Sequence, residues 1–248
     1  MALYDRLGVG YSGLRRPDPR IGARIRAALG TTGPVLNVGA GAGSYEPHDL
    51  PVVAVEPADL MLQQRPPDAA PAVRAIAEQL PFVSGGFAAA MAVLTIHHWS
   101  DIAAGLAELR RVAAGSVVIL SWDSSISDRY WMVEEYLPAS RGLDRDLPRP
   151  AAIAELLGGG TVETVEVPAD CTDGFYAAWW RRPEAYLDPA VRQAISGIAR
   201  LPDDEVRLGI ERLAADLESG RWHERHRDLL ELDELDAGYR LIVSPPNG

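Results

Sequence analysis

At 248 residues and 47% hydrophobic content, the chain suits one sizeable α/β domain with an insertion and is too short for two ordinary large domains. Its single cysteine, Cys171, excludes a disulfide framework or a Cys-rich metal cluster, and its 24 basic residues are all arginine, which excludes Schiff-base and lysine general-base chemistry. A net charge of -11 opposes phosphate backbones and anionic lipid, so the expected partner is a small molecule, with no nucleic acid and no membrane, and the expected state a monomer or homodimer.

The N-terminal stretch "MALYDRLGVGYSG" lacks a basic segment followed by an apolar one, and no window approaches the roughly 18 apolar residues of a membrane span. A cytoplasmic location is expected. In "DPRIGARIRAALG", Asp18 reads as an N-cap, Pro19 as the first helical residue and Gly30 as the stop, with Ile21, Ile25 and Leu29 on one face. Buried strands follow at "PVLNVGA", "PVVAVEP", "GFAAAMAVL" and "GSVVILSWD", separated by loops and by the amphipathic helix "DIAAGLAELRRVAAG", opened by Asp101 and closed by Gly115. Such alternation means a parallel sheet with crossover helices.

The C-terminal half departs from that rhythm. A helical stretch "AAIAELLGG" precedes a strand in "TVETVEVPAD", carried by Val162, Val165 and Val167, and the last strand lies in "AGYRLIVSP". Between them, "TDGFYAAWWRRPEAYLDPAVRQAISGIARL" and "DEVRLGIERLAADLESGRWHERHRDLLEL" read as a helical cap over the carboxyl ends of the strands, the edge where open α/β sheets bind ligands. The expected organisation is an N-terminal lid and helix over 1–30, a core over 31–170 and 235–248, and a helical cap over 171–234.

The stretch "VLNVGAGAGSYE" carries Gly39, Gly41 and Gly43 directly after the first strand. A dinucleotide loop of the form G-x-G-x-x-G would need glycine at Ser44, which weakens a nicotinamide reading, and no phosphate loop ending in Lys is possible here. Glu56, 13 residues beyond Gly43 at the tip of the second strand, is placed to accept both hydroxyls of a ribose.

Taken in order, "VLNVGAGAGSYE", "VVAVEPADLML" and "AIAEQLPFVSGGFAAAMAVLTIHHWSD" resemble the class I S-adenosylmethionine-dependent methyltransferases, in the small-molecule branch called type 11. The cap, with "RRPEAYLD", is similar to the trans-aconitate methyltransferase group. The resemblance implies an α/β, Rossmann-like, seven-stranded and mostly parallel sheet, with an antiparallel last strand and the cap inserted before it. It implies S-adenosylmethionine as cofactor, with the glycine loop at the methionine moiety, Glu56 on the ribose, and Ala77 and Glu78 by the adenine. Asn37 stands where that family commonly has an acidic residue in the first strand. An N-terminal segment folded over the cofactor would bring Tyr11 and Arg15 near the methionine carboxylate. The cofactor-binding set is then Tyr11, Arg15, Asn37, Gly39, Ala40, Gly41, Glu56, Pro57, Met61, Ala77, Glu78 and Leu94.

Within that resemblance, the turn "LTIHHW" replaces the Asn/Asp-Pro-Pro-aromatic turn of amino-methylating DNA enzymes, and it holds no carboxylate cluster for a hard cation, so O- or N-methylation without a metal is expected. Methyl transfer needs alignment, exclusion of water and, for a protonated nucleophile, a base. His97, three residues beyond Leu94, is the first candidate for that base, ahead of His98, whose ring is assigned to packing, with Tyr11 in reserve. Trp99, Trp179, Arg182 and Tyr186 are the candidate substrate contacts, and of the adjacent Trp179 and Trp180 only one can face a pocket. Two other functions fit the same motifs: a non-catalytic S-adenosylmethionine-binding regulator, and an enzyme performing a rearrangement or cyclisation on this fold.

Overall fold

The structure, a computed structural model, describes residues 15–246. Helix α1 (Pro19–Leu29) opens as its sequence dictates: Asp18 accepts the amide of Arg20 at 3.0 Å, Pro19 occupies the first turn, and Gly30 closes the helix at φ 60°. Strands β1 (Val35–Val38) and β2 (Val52–Val55) follow, then α2 (Asp59–Gln63), a short β3 (Ala72–Val73) and β4 (Ala89–Val93). A 3-10 turn over Ile96–His98 leads to α3 (Ile102–Val112), capped by Asp101, and to β5 (Val117–Trp122).

Next come α4 (Ser124–Ser127), a π-helical turn over Met132–Tyr136, α5 (Pro150–Leu156), β6 (Thr161–Thr164) and β7 (Val167–Pro168). The chain then runs through 3-10 turns and α6 (Pro189–Ala194), α7 (Ser196–Ala199), α8 (Asp203–Glu218) and α9 (Arg221–Arg225), and closes with β8 (Glu234–Leu235) and β9 (Tyr239–Ser244).

The main sheet has seven strands in the order β3-β2-β1-β4-β5-β9-β6. β1 pairs in parallel with β2 and β4, β2 with β3, and β4 with β5, whereas β9 runs antiparallel between β5 and β6. The expected α/β, Rossmann-like sheet with an antiparallel last strand is therefore present. β7 and β8 form a separate two-stranded antiparallel ladder. Edge strand β3, with only two residues, has too little apolar pattern to be read from sequence.

Central strands bury both faces, as parallel strands do. Val118 and Leu120 join α1 in one apolar cluster, while Val117 and Ile119 join α3 and α5 in another on the opposite face. The first cluster continues without a break into the helical segment, through Trp131, Trp180, Tyr186, Leu213 and Trp222. Trp131 packs edge-on against Trp222 at 5.2 Å and Tyr186 at 5.6 Å between ring centroids. These helical segments thus share their core with the sheet.

Candidate active site

The carboxyl ends of β1, β2 and β4 open onto a cleft of about 390 Å³. The glycine loop forms one wall because its backbone enters the left-handed region, with φ 69° at Gly39 and 54° at Gly41. A Cβ at Gly39 would also collide with the side chain of Thr95, so glycine is required for the loop to pass over the end of β4. Glu56, at the tip of β2, accepts the amide of Gly41 at 2.8 Å and that of Ala58 at 2.9 Å. These bonds fix its carboxylate on the cleft wall. Arg15, Asn37, Gly39, Ala40, Gly41, Glu56, Pro57, Met61, Ala77, Glu78 and Leu94 all line this cleft. Of the expected cofactor contacts, Tyr11 lies outside the described residues.

Two supports of the cleft were not legible in advance. Asn37 donates from Nδ2 to Glu46 at 3.2 Å, and Arg65 forks onto both Glu46 oxygens at 2.8 and 2.9 Å. This buried pair pins the glycine loop to the loop after α2. Glu78 accepts the amide of Ser100 at 2.7 Å and that of Asp101 at 3.1 Å, tying the far wall to the start of α3. Burial raises its pKa, but these bonds outweigh it and the net shift is downward.

A second cavity, of about 310 Å³, lies on the other side of the turn after β4. Trp122, Tyr130, Phe175, Tyr176 and Tyr239 supply its aromatic faces. Arg15 and Leu94 line both cavities. Leu94 has φ 51°, a conformation that costs a non-glycine residue on the order of 1–3 kcal/mol and recurs where structure serves function. This kink launches the 3-10 turn that presents His97 to the second cavity and His98 to the first. Their ring centroids are 3.6 Å apart, and His97 also packs edge-on against Trp122 at 4.6 Å.

Burial, then competition with the adjacent His98 for a proton and the positive charges of Arg200 and Arg15, hold the His97 pKa well below 6.5, and burial with Arg200 lowers that of His98 to about 3. Both imidazoles are therefore neutral near pH 7. Nδ1 of His97 is buried without a hydrogen-bond partner among the described residues. Arg15 is held by Asp173, with Nε donating to Oδ1 at 2.8 Å. The fully buried Asp173 also accepts from the Tyr45 hydroxyl at 2.9 Å.

The remaining expected substrate contacts are placed elsewhere. Trp99 lines the first cleft, while Trp179, Arg182 and Tyr186 are not among the residues lining either cavity. Tyr186 is fully buried and bonds the Tyr130 hydroxyl at 2.9 Å and the carbonyl of Tyr176. Arg182 donates to the carbonyls of Cys171 and Ala178 and lies 4.4 Å over the Trp179 ring. Among the described residues, no three His, Cys, Asp or Glu side chains are grouped as a metal site would require.

A family model described as a methyltransferase domain matches residues 36–120. The chain is also 31% identical to a protein of Anabaena variabilis ATCC 29413 assigned as a methyltransferase from an antibiotic biosynthesis pathway, over 93% of this chain and 98% of that one, with a TM-score of 0.87. The chain belongs to the class I S-adenosylmethionine-dependent methyltransferases. Its cofactor is accordingly S-adenosylmethionine.

More distant solved structures share the fold of this methyltransferase. The [4+2]-cyclase SpnF is 14% identical, over 99% of this chain and 95% of that one, with a TM-score of 0.55. Geranyl diphosphate C-methyltransferase from Streptomyces coelicolor A3(2), in complex with Mg2+, geranyl diphosphate and S-adenosyl-L-homocysteine, is 14% identical, over 92% and 77%, with a TM-score of 0.53. A search of curated proteins returns no match. The methyltransferase cleft fits its cofactor by its own chemistry: a carboxylate fixed at a strand tip, a group that can accept from hydroxyls, and a glycine backbone a ligand can approach closely.

Proposed function

We propose that this methyltransferase acts on a small, planar molecule held in the aromatic cavity beyond the turn after β4, transferring the methyl group to oxygen or nitrogen without a metal. The observation that carries this reading is the shared wall: Arg15 and Leu94 line both the cofactor cleft and the aromatic cavity, with His98 on one side and His97 on the other. A substrate in the second cavity would meet the cofactor at that wall.

Bound S-adenosylmethionine supplies an activated methyl on a sulfonium, already a good leaving group. The protein's part is positional. Glu56 binds the ribose, the Leu94 kink sets the spacing of the two cavities, and the surrounding rings exclude water. His97, neutral because of its burial and its cationic neighbours, accepts the proton that the nucleophile gives up. For a hydroxyl a weak base suffices, since the attacking oxygen becomes strongly acidic as its new bond to the methyl carbon forms.

The division into lid and helix (1–30), core (31–170 and 235–248) and helical cap (171–234) is kept as a proposal, with residues 124–145 joining the cap in lining the substrate cavity. A cytoplasmic monomer or homodimer acting on small molecules suits the net charge of -11, and no helix of the described residues is long and apolar enough to cross a membrane.

The test is calorimetry followed by turnover. S-adenosylhomocysteine should bind and NAD should not, and Glu56→Ala should cost on the order of 2–4 kcal/mol of affinity for the homocysteine ligand. With small aromatic hydroxyl and amine compounds as acceptors, S-adenosylhomocysteine should form at the same rate with and without excess EDTA. Conversion of an acceptor with no S-adenosylhomocysteine released would overturn methyl transfer in favour of a rearrangement.

A further inference from the structure

The aromatic cavity is electrostatically polarised. At His97 the field is positive, since Arg200 and Arg15 act on its ring even though Arg15 is paired with Asp173 at 2.8 Å and Arg200 with Asp144 at 2.7 Å. Asp128 lines the same cavity, and its carboxylate makes no hydrogen bond or ion pair with another described residue. Its neighbour Arg141 gives Nε to the Asp128 main-chain carbonyl at 3.2 Å and directs its charge to Glu134 at 3.6 Å. Burial accordingly pushes the Asp128 carboxyl upward, with only the field of Arg141 opposing.

A partly desolvated carboxylate without a partner among the described residues gains more from an incoming cation than a solvated one does. Of the other charged side chains on the cavity wall, Asp144 is the carboxylate already paired with Arg200, and Arg145 is exposed and gives Nε to the Gly142 carbonyl at 3.2 Å. The rings complete the picture. Phe175 and Tyr239 are 4.7 Å apart, Tyr130 and Tyr176 6.2 Å, and such faces receive either a flat ring or an ammonium group. A volume of about 310 Å³ is at the lower end for ligand pockets and suits a single ring with a short chain.

We propose that the substrate is a small phenol carrying a protonated amine, with its ammonium paired to Asp128 and its hydroxyl presented to His97. This rests on the assignment of the aromatic cavity as the substrate site. The two ends then act together: the cationic field that keeps His97 neutral also lowers the pKa of a phenol beside it, and the amine is kept away from that field by Asp128. A phenol bearing a carboxylate would instead bring a second negative charge to Asp128.

Tyramine and 4-hydroxyphenylacetate form a matched pair of nearly equal size and opposite charge. In calorimetry on protein already loaded with S-adenosylhomocysteine, tyramine should bind roughly 10- to 100-fold more tightly than the acid. Asp128→Asn, nearly isosteric, should abolish that preference while the affinity for S-adenosylhomocysteine, which also reports folding, stays unchanged. The proposal is overturned if the acid binds as well as the amine, if the preference survives in Asp128→Asn, or if neither phenol binds to the loaded protein. Failure of S-adenosylhomocysteine itself to bind would overturn the methyltransferase site as a whole, and is measured first.

Discussion

His97 and His98 are adjacent in sequence yet line different cavities, because successive side chains of a 3-10 turn point about 120° apart. Their substitutions should therefore separate kinetically. His97→Ala should lower kcat by roughly 10²–10⁴ for a hydroxyl or protonated-amine acceptor while the Kd for S-adenosylmethionine stays near its original value. His98→Ala should weaken cofactor binding, since its ring, assigned to packing from the sequence, lines the cleft proposed for the cofactor. Equal loss of kcat in both variants at unchanged cofactor affinity would reject this division. Nδ1 of His97, without a partner among the described residues, adds a check: a buried polar atom left unpaired costs about 1–3 kcal/mol, so a ligand that satisfies it should raise Tm more in the parent protein than in His97→Ala.

At the level of elements, α8 is held against the π-helical turn Met132–Tyr136 by a close approach at Gly209, where a Cβ would run into the carbonyl oxygen of Tyr136 and lie 2.7 Å from Leu137 Cδ2. Alanine is the better helix former, yet Gly209→Ala should lower stability by about 1–3 kcal/mol in denaturant unfolding, because overpacking outweighs the gain in propensity. An unchanged or raised midpoint would show that the helices can part at no cost. The same contrast between local and long-range information explains what could be read beforehand. The Asp18 and Asp101 caps, the buried β1 and β5 and the glycine loop before Glu56 are local patterns, and each stands where the sequence implied. Asp173, Glu46 with Arg65, and the cavity assembled from Trp122, Asp128 and Tyr176 depend on residues far apart along the chain, so no spacing reveals them. Trp179, Arg182 and Tyr186 carried a substrate-like composition, but composition cannot tell an aromatic core from an aromatic pocket.

For the whole molecule, buried histidines set a pH dependence of known sign. His98 titrates near 6.5 in the unfolded chain and at about 3 in the folded one, and His97 is displaced in the same direction. Between those values the unfolded chain binds more protons, so their share of stability is complete above pH 6.5 and drains away as pH falls towards 3. Asp18 acts lower: burial opposes its charge, but bonds from Arg20 and Thr172 prevail and bring it from 3.8 to about 2, so its contribution is lost only within that interval. Relief of the net charge of -11 on the way to the pI of about 4.9 works the other way. A His98→Gln variant isolates the histidine effect. Its Tm relative to the parent should climb as pH is lowered from about 7 to about 5, and a constant difference would count against the buried neutral ring.

The wall formed by Arg15 and Leu94 also has a kinetic reading. With the cofactor and substrate placed as proposed, both ligands press on the same side chains, so their affinities are expected to be coupled, and thermodynamics makes any such influence mutual. S-adenosylhomocysteine should change the Kd of an acceptor by the same factor as the acceptor changes that of S-adenosylhomocysteine. Initial-rate plots should intersect, as expected when both ligands must be present at once, and parallel lines would point to a methylated protein intermediate that this wall gives no reason to expect.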